Sequence, residues 1–349
     1  MNMALINTAL CSFGMSGWVF HGPFIDVHPD FNLYAVFERT KNLAKEKYSN
    51  IKTFRSLEEL LKDDAIDLVI VNTPNITHYE YTKKCLEAGK HVVVEKPFTV
   101  TSTEAEELVA LAEKQNVKLS VFQNRRWDSD FKTVKNVIEQ GVLGNIVEAE
   151  FHYDRFDPEL SYKIHKETPT EGVGSLYDLG SHIIDQALQL FGMPNSVFAT
   201  LDSFRDNSEV GDYFDVKLYY HSHYVSLKSS YFVREPLPAY SIHGTTGSFV
   251  KSKADIQETE LQKEIKPNTA NWGMEPESER GLLHTLKDGK SKKELIETEQ
   301  GDYMAYYNGI NEAVINNKPL PVSAEEATNV IKVIEAAIQS NQEKKVINL

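Results

Sequence analysis

Up to residue 124 the chain alternates short apolar runs with segments of helical period, the pattern of a parallel sheet carrying helices on its faces. The runs "LINTAL", "FNLYAVF", "IKTF", "LVIVNT", "HVVVE" and "VKLSVFQ" predict a doubly wound sheet of about six strands. Among the intervening helices "STEAEELVALAEKQN" is the clearest, because Ala105, Leu108, Val109 and Ala112 repeat at i, i+3, i+4, i+7 behind an acidic first turn.

Beyond residue 125 the pattern changes. A helix over "DFKTVKNVIEQG" leads to a strand "IVEAEFHYDRF" and a long helix "LYDLGSHIIDQALQLFG". Then come strands with few helices between them: "SVFATLDSF", "YFDVKLYY", "YVSLKSSYFV" and "YSIHGTTGSFVKS". Grouped strands predict an antiparallel sheet and an α+β second domain. The polar stretch 256–281, with Pro267 and Pro276, predicts a long loop, and two helices near "DYMAYYNGINEAVIN" and "AEEATNVIKVIEAAIQSNQ" follow it. The expected division is therefore 1–124 for a Rossmann dinucleotide-binding domain and 125–349 for an α+β domain with a large, mostly antiparallel open sheet.

The length, 349 residues, suits two cores better than one. A content of 41% hydrophobic and 25% charged residues is that of an ordinary globular chain. No apolar run reaches the roughly 18 residues of a membrane span, and the N-terminus has no secretory pattern, so a cytoplasmic location is expected. The net charge of −14 argues against nucleic acid and anionic membranes as partners. Cys11 and Cys85 fall in apolar segments and are expected to act as small hydrophobes, not as a disulfide. Neither CxxC nor HExxH occurs, and no metal site is expected.

Directly after the first apolar run stands "SFGMSG", a G-x-G-x-x-G turn in which Ser12 replaces the first glycine. A strand precedes it, a helix follows, and Glu38-Arg39-Thr40 ends the second strand about 20 residues on, which is the context a dinucleotide site requires. Serine is compatible with the turn if its φ stays negative, Gly14 leaves room for a pyrophosphate, and Gly17 allows close helix packing. Pro23 predicts a distortion of the following helix. Glu38 favours the ribose hydroxyl of NAD and Arg39 the 2′-phosphate of NADP, so charge alone leaves the cofactor open.

"NTPNITH" ends the fourth strand and "VVVEKPF" the fifth, which sets Thr73, Asn75, His78, Glu95 and Lys96 around one crevice at the carboxyl ends of the strands. Lys96 is either a catalytic amine or the partner of Glu95 in a structural ion pair. On the helix from Tyr177, Asp178, His182, Asp185 and Gln189 form a narrow polar stripe opposite a broad apolar arc. A carboxylate one turn from a histidine suits a general base, and a solvated helix edge explains the same pattern equally well.

Together "GMSG", "TPNITH", "AGKHVVVEKP", "NRRW" and "LYDLGSHIIDQALQLFG" resemble the Gfo/Idh/MocA family of oxidoreductases over nearly the whole chain. The resemblance implies a nicotinamide-dependent dehydrogenase with Lys96, Asp178 and His182 as catalytic residues. It further implies a cofactor site at Ser12, Phe13, Gly14, Ser16 and Gly17, at Glu38, Arg39 and Thr40, across the loop from Thr73 through Pro74 and Asn75 to His78, and at Glu95 and Asn124. The closer branch implies NADP ahead of NAD, an inositol-like polyol or sugar as substrate, and subunits paired as dimers or tetramers through the second sheet. Arg126, Tyr153 and Trp272 are the candidate substrate contacts beside Asp178 and His182. The same family includes hydrolases that use bound NAD on glycosides, and non-catalytic sensors. A metal-dependent isomerase on a similar fold is a further competitor.

Overall fold

The apolar runs before residue 124 fold as one parallel sheet. Its strands are β1 (Ile6–Leu10), β2 (Phe31–Phe37), β3 (Lys52–Phe54), β4 (Leu68–Val71), β5 (His91–Val94) and β6 (Leu119–Val121). They lie side by side in the order β3-β2-β1-β4-β5-β6. All four residues of β4 are buried, which is why its sequence is apolar without alternation: helices cover both faces of such a sheet. Strand order reverses between β1 and β4, and the carboxyl ends there bound the crevice in which open α/β sheets take ligands. The helix Ser102–Gln115 starts at a capping box, with Thr101 and Glu104 each bonding the other's backbone N–H, and ends at Asn116 in the left-handed region.

The structure is a computed structural model that describes residues 5–287 and 289–349. It comprises two units. The first holds the chain up to Asn124 together with Ile256–Gly273 and Asp302–Thr328; the second holds Arg125–Asp255, Met274–Gly301 and Asn329–Leu349. Two segments of the stretch 125–349, Ile256–Gly273 and Asp302–Thr328, thus belong to the first unit. The reason is aromatic packing. Phe24 stacks on Tyr307 with ring centroids 5.3 Å apart and meets Trp272 edge-on at 6.3 Å and Tyr303 at 6.2 Å. Each such pair adds about 0.5–1.5 kcal/mol to the burial of the rings themselves.

In the second unit the described residues form a sheet of nine strands. These are β7 (Ile146–His152), β8 (Ser196–Asp202), β9 (Tyr213–Tyr219), β10 (Tyr224–Ser230), β11 (Tyr240–Gly244), β12 (Gly247–Lys251), β13 (Gly281–Lys287), β14 (Lys290–Ile296) and β15 (Ile347–Asn348). Their order is β14-β13-β12-β11-β7-β10-β9-β8-β15, and β7 with β10 is the parallel pair in an otherwise antiparallel sheet. Strict alternation of burial along β9 shows that one face lies on the core. The single strand expected at "YSIHGTTGSFVKS" is a hairpin, β11 and β12. The expected loop over 256–281 carries a helix, Gln257–Gln262. The β13–β14 hairpin has no counterpart in the sequence reading, because β14 is mostly exposed and its lysines hide the strand period.

A buried ion pair anchors the loop before β13. Lys251 Nζ lies 2.6 Å from Glu275 Oε2 and donates to the Glu279 carbonyl at 2.8 Å, while Ser129 Oγ donates to the other carboxylate oxygen. Both charged side chains are fully buried. Removing one partner leaves the other charged without compensation, so Lys251→Met is expected to lower unfolding free energy by about 3–5 kcal/mol, measured by urea denaturation.

Candidate active site

In the first unit the fingerprint turn is held by one amide. Asn72, just past β4, accepts the Ser12 N–H at 2.9 Å and donates to the Ser12 carbonyl at 2.9 Å, and the Ser12 hydroxyl donates to the Asn72 carbonyl at 2.7 Å. Ser12 keeps a negative φ, so the turn has no need of glycine at this position. Gly17 is different: a Cβ there would lie 2.5 Å from the Ser12 carbonyl oxygen. A Cβ on Gly14 would meet nothing within 4 Å, so backbone is open to an approaching pyrophosphate, and the residues present fit a dinucleotide. The helix that follows begins with π turns over Ser16–His21 and becomes α over Gly22–Val27, with Pro23 in its first turn, the distortion that this proline predicts.

At the end of β2 the two candidate cofactor residues part. The Glu38 carboxylate accepts the N–H groups of Leu43 at 3.0 Å and Ala44 at 3.2 Å, capping the short helix Leu43–Lys47. Arg39 and Thr40 are exposed beside it. Arg55 donates to the carbonyls of Glu38 and Lys41 and to the Asn42 side chain, fixing the course of this loop. Both oxygens of Glu38 thus accept backbone N–H groups.

Loops after β4 and β5 are tied together by His78. Its ring nitrogens lie 2.8 Å from the Pro97 carbonyl and 2.9 Å from the Thr73 carbonyl, and burial pulls the imidazole below its ordinary range. His78 is 1% exposed and supports the loop from Thr73 from within. Thr73 and Asn75 are half-buried and Pro74 exposed on that loop. Glu95 is also turned inward, with oxygens bonded to Ser16 Oγ at 2.5 Å and to the Lys96 N–H at 3.2 Å. Lys96 is half-buried and precedes a cis peptide bond to Pro97. Asn124, at the end of this unit, is buried.

In the second unit the long helix opens with π turns over Leu176–Gly180 and continues as α over Ser181–Phe191. The Asp178 carboxylate meets Lys166 Nζ at 2.9 Å. His182 is buried against Tyr153, ring centroids 5.9 Å apart. Lys253 Nζ sits 4.7 Å above the Tyr153 ring and the Arg155 guanidinium 5.8 Å from it. Burial alone would raise the Tyr153 phenol, but Arg125, Lys253 and Arg155 together hold it below its usual range. Beneath them burial pushes the Asp128 carboxyl up to about 7, with Asp255 and Asp130 adding to the rise and Arg125 and Lys253 opposing it. The cluster is cationic around a phenol and an imidazole, which suits an oxygen that gains negative charge.

Two of the substrate candidates have internal partners. Arg126 clasps Asp185 through Nε at 2.8 Å and Nη2 at 2.7 Å, so this pair is an internal brace. Trp272 belongs to the first unit, 4% exposed, with its indole N–H donated to Gln257. Cys11 and Cys85 are buried free thiols, and the hydrogen bond with Cys11, reinforced by burial, pushes Cys85 up. Missed in the sequence were His21, Arg55, Arg155 and Lys253. Arg155 stands three residues beyond the end of β7 and Lys253 two beyond the end of β12, a signal available from spacing; His21 and Arg55 carried none.

A family model described as "Oxidoreductase family, NAD-binding Rossmann fold" matches residues 6–123, and one described as "Oxidoreductase family, C-terminal alpha/beta domain" matches residues 135–349. The chain is 41% identical to scyllo-inositol 2-dehydrogenase (NADP(+)) of Bacillus subtilis (strain 168), over 99% of this chain and 96% of that protein. It is 39% identical to an oxidoreductase of Schizosaccharomyces pombe, covering 99% and 100%. Among solved structures, an oxidoreductase of Bacillus subtilis superposes with a TM-score of 0.97 at 41% identity, covering 100% of this chain and 99% of that one. One from Bacteroides fragilis does so with a TM-score of 0.90 at 46% identity, covering 99% and 100%. With both halves matched, the chain belongs to the Gfo/Idh/MocA oxidoreductase family.

Proposed function

We propose that this oxidoreductase moves a hydride between NADP and a secondary alcohol of an inositol-like cyclic polyol, with scyllo-inositol as the first substrate to try. The observation that carries this reading is the likeness, over 99% of the chain, to a relative named for that substrate and that cofactor. Its cofactor half has independent support in the β2 loop. Glu38 turns its carboxylate to cap a helix, and Arg39 stands exposed, where it would pair with a 2′-phosphate. Gly14, Ser16, Gly17 and the loop Thr73–His78 would hold the rest of the dinucleotide. When bound, the nicotinamide supplies the hydride acceptor or donor.

The chain's own residues then handle the proton and the charge. His182 takes the hydroxyl proton on a ring nitrogen, and Asp178 sets its orientation. Lys96 donates to the reacting oxygen and steadies its developing negative charge. Tyr153, with Lys253 over its ring, lines the same side as His182 and offers a hydrogen bond to a neighbouring hydroxyl of the polyol. A cytoplasmic location and pairing of subunits through the broad sheet belong to the same proposal. Among the described residues no helix is long and apolar enough to cross a membrane.

A panel of inositols, hexoses and sugar acids with NADP and NAD, followed by nicotinamide absorbance, tests the reading. Reduction with a cyclic polyol is expected. Release of sugar from an aryl glycoside without net nicotinamide reduction would assign the hydrolase chemistry instead. Lys96→Met and His182→Ala are each expected to lower turnover by about 10²-fold or more with cofactor affinity nearly intact. Arg39→Ala should weaken NADPH binding about 10- to 100-fold and leave NADH unchanged, read by fluorescence titration, since a bond to a charged group contributes about 1.5–3 kcal/mol. Lys253→Met removes a cation from beside the Tyr153 phenol, which is then expected to titrate at higher pH; ultraviolet difference spectra against Tyr153→Phe follow it.

A further inference from the structure

One arginine of the second unit has no part in the proton steps above. Arg155 stands three residues past the end of β7, and hydrogen bonds pin its backbone on both sides: its N–H donates to the Ser230 carbonyl at 3.0 Å, and its own carbonyl accepts the Val233 N–H at 3.0 Å. An isolated bridge between Phe156 and Phe232 follows directly. The side chain therefore starts from ordered backbone, while the residue as a whole is exposed. A group held in this way meets a ligand with little ordering left to do.

Three other arginines of the unit are matched by carboxylates inside the fold. Arg125 lies 3.6 Å from Asp128, Arg126 2.7 Å from Asp185, and Arg205 3.0 Å from Glu167 and 3.2 Å from Asp212. Arg155 faces phenols instead. Its guanidinium carbon lies 5.8 Å from the Tyr153 ring centroid, and it bears on Tyr231, whose ring has the Arg205 guanidinium 5.1 Å away. Burial, with Asp178 adding to it, pushes the Tyr231 phenol up to about 12 against the opposing charges of Arg155 and Arg205, so this neighbour stays neutral and cancels no charge. The carboxylate that bears on Arg155 is that of Asp178, which Lys166 already holds at 2.9 Å. A second exposed cation, Lys253, lies 4.7 Å from the Tyr153 ring, and its carboxylate partner Asp128, at 3.2 Å, is fully buried.

The side of Tyr153 and His182 thus offers a ligand exposed cations, while the acids there are buried or already bonded. Hydroxyls of a neutral polyol are served by neutral donors, whereas the guanidinium fork fits a carboxylate or a phosphate through two parallel bonds. We propose that Arg155 determines substrate specificity by binding an anionic substituent, a carboxylate or a phosphate ester, carried on the polyol ring at a carbon other than the one oxidised. The proposal rests on the reading of this chain as a polyol dehydrogenase with His182 at the reacting oxygen, and it narrows the substrate to an acidic ring polyol, of which scyllo-inositol is a neutral and weaker-bound relative. Arg155 makes and breaks no covalent bond; it holds the ring.

Calorimetric titration with NADPH present tests this apart from turnover, using pairs that share a ring: glucose with glucuronate and with glucose 6-phosphate, and myo-inositol with its 1-phosphate. In the wild type the anionic member of at least one pair is expected to bind about 10- to 100-fold tighter, the range of hydrogen bonds to a charged group. Preference for glucuronate alone names a carboxylate, and preference for the phosphates alone names a phosphate ester. Arg155→Gln should remove most of the preference. Arg234→Gln is the control: Arg234 is exposed with its guanidinium 4.2 Å from the Phe156 ring, so the variant takes the same charge from nearby surface and should leave the preference as it was. No anion preference in any pair, a preference that survives Arg155→Gln, or an equal loss in Arg234→Gln each overturns the proposal. If Arg155→Gln fails to fold, Arg155→Lys replaces it; loss of the fork should weaken the preference, and full retention overturns the assignment. Nicotinamide reduction decides the dehydrogenase reading separately. Reduction with neutral polyols and no anion preference in binding would keep that reading and sink this one, whereas anion binding through Arg155 without reduction by any polyol would do the reverse.

Discussion

Everything at the carboxyl edge of the parallel sheet depends on satisfying buried backbone groups where strands stop. A strand end has no ladder partner for its next N–H and C=O, and leaving such groups bare costs about 1–3 kcal/mol each. Asn72 solves this for the fingerprint turn, since its amide reads both the N–H and the C=O of Ser12. That stitch explains why a serine is tolerated where a glycine is usual. It also explains why Gly17 is not replaceable, because the turn is drawn so tightly that a Cβ would strike the Ser12 carbonyl.

The same demand sorts the charged residues. Glu38 caps a helix, Glu95 gathers Ser16, His21 and the Lys96 backbone, and Asp130 in the second unit accepts the N–H groups of Ala254 and Asp255. Carboxylates accept several bonds at once and so are suited to orphaned N–H groups. Cations also stand at or just beyond strand ends: exposed Arg39 and half-buried Lys96 in the first unit, exposed Arg155 and Lys253 in the second. A chain with a net charge of −14 thus carries local positive charge where the proposed reaction would place an anionic cofactor and a developing alkoxide.

Both polar helices of the proposed chemistry begin with π turns, Ser16–His21 and Leu176–Gly180. A π turn accommodates an extra residue and rotates the side chains before it relative to those after it. In the first case this brings His21 under Glu95. In the second it places Asp178 near Lys166 while His182 faces Tyr153.

The sequence by itself determined the parallel sheet, the antiparallel sheet, the fingerprint and the family, because each rests on local signals: apolar runs, period, and a turn between a strand and a helix. It also singled out Lys96 and His182 as the groups to examine. It did not determine which carboxylates are free. Glu38 and Glu95 look like ligands in one dimension, and only the fold shows them bonded to backbone and to His21. Nor did it show that 256–273 and 302–328 return to the first unit, for no local pattern records that Trp272, Tyr303 and Tyr307 meet Phe24. A hydrogen-bond partner is a property of three-dimensional distance, and the partners that decide this site, Asn72 to Ser12, Glu95 to Ser16 and Tyr307 to His21, are 60, 79 and 286 residues apart.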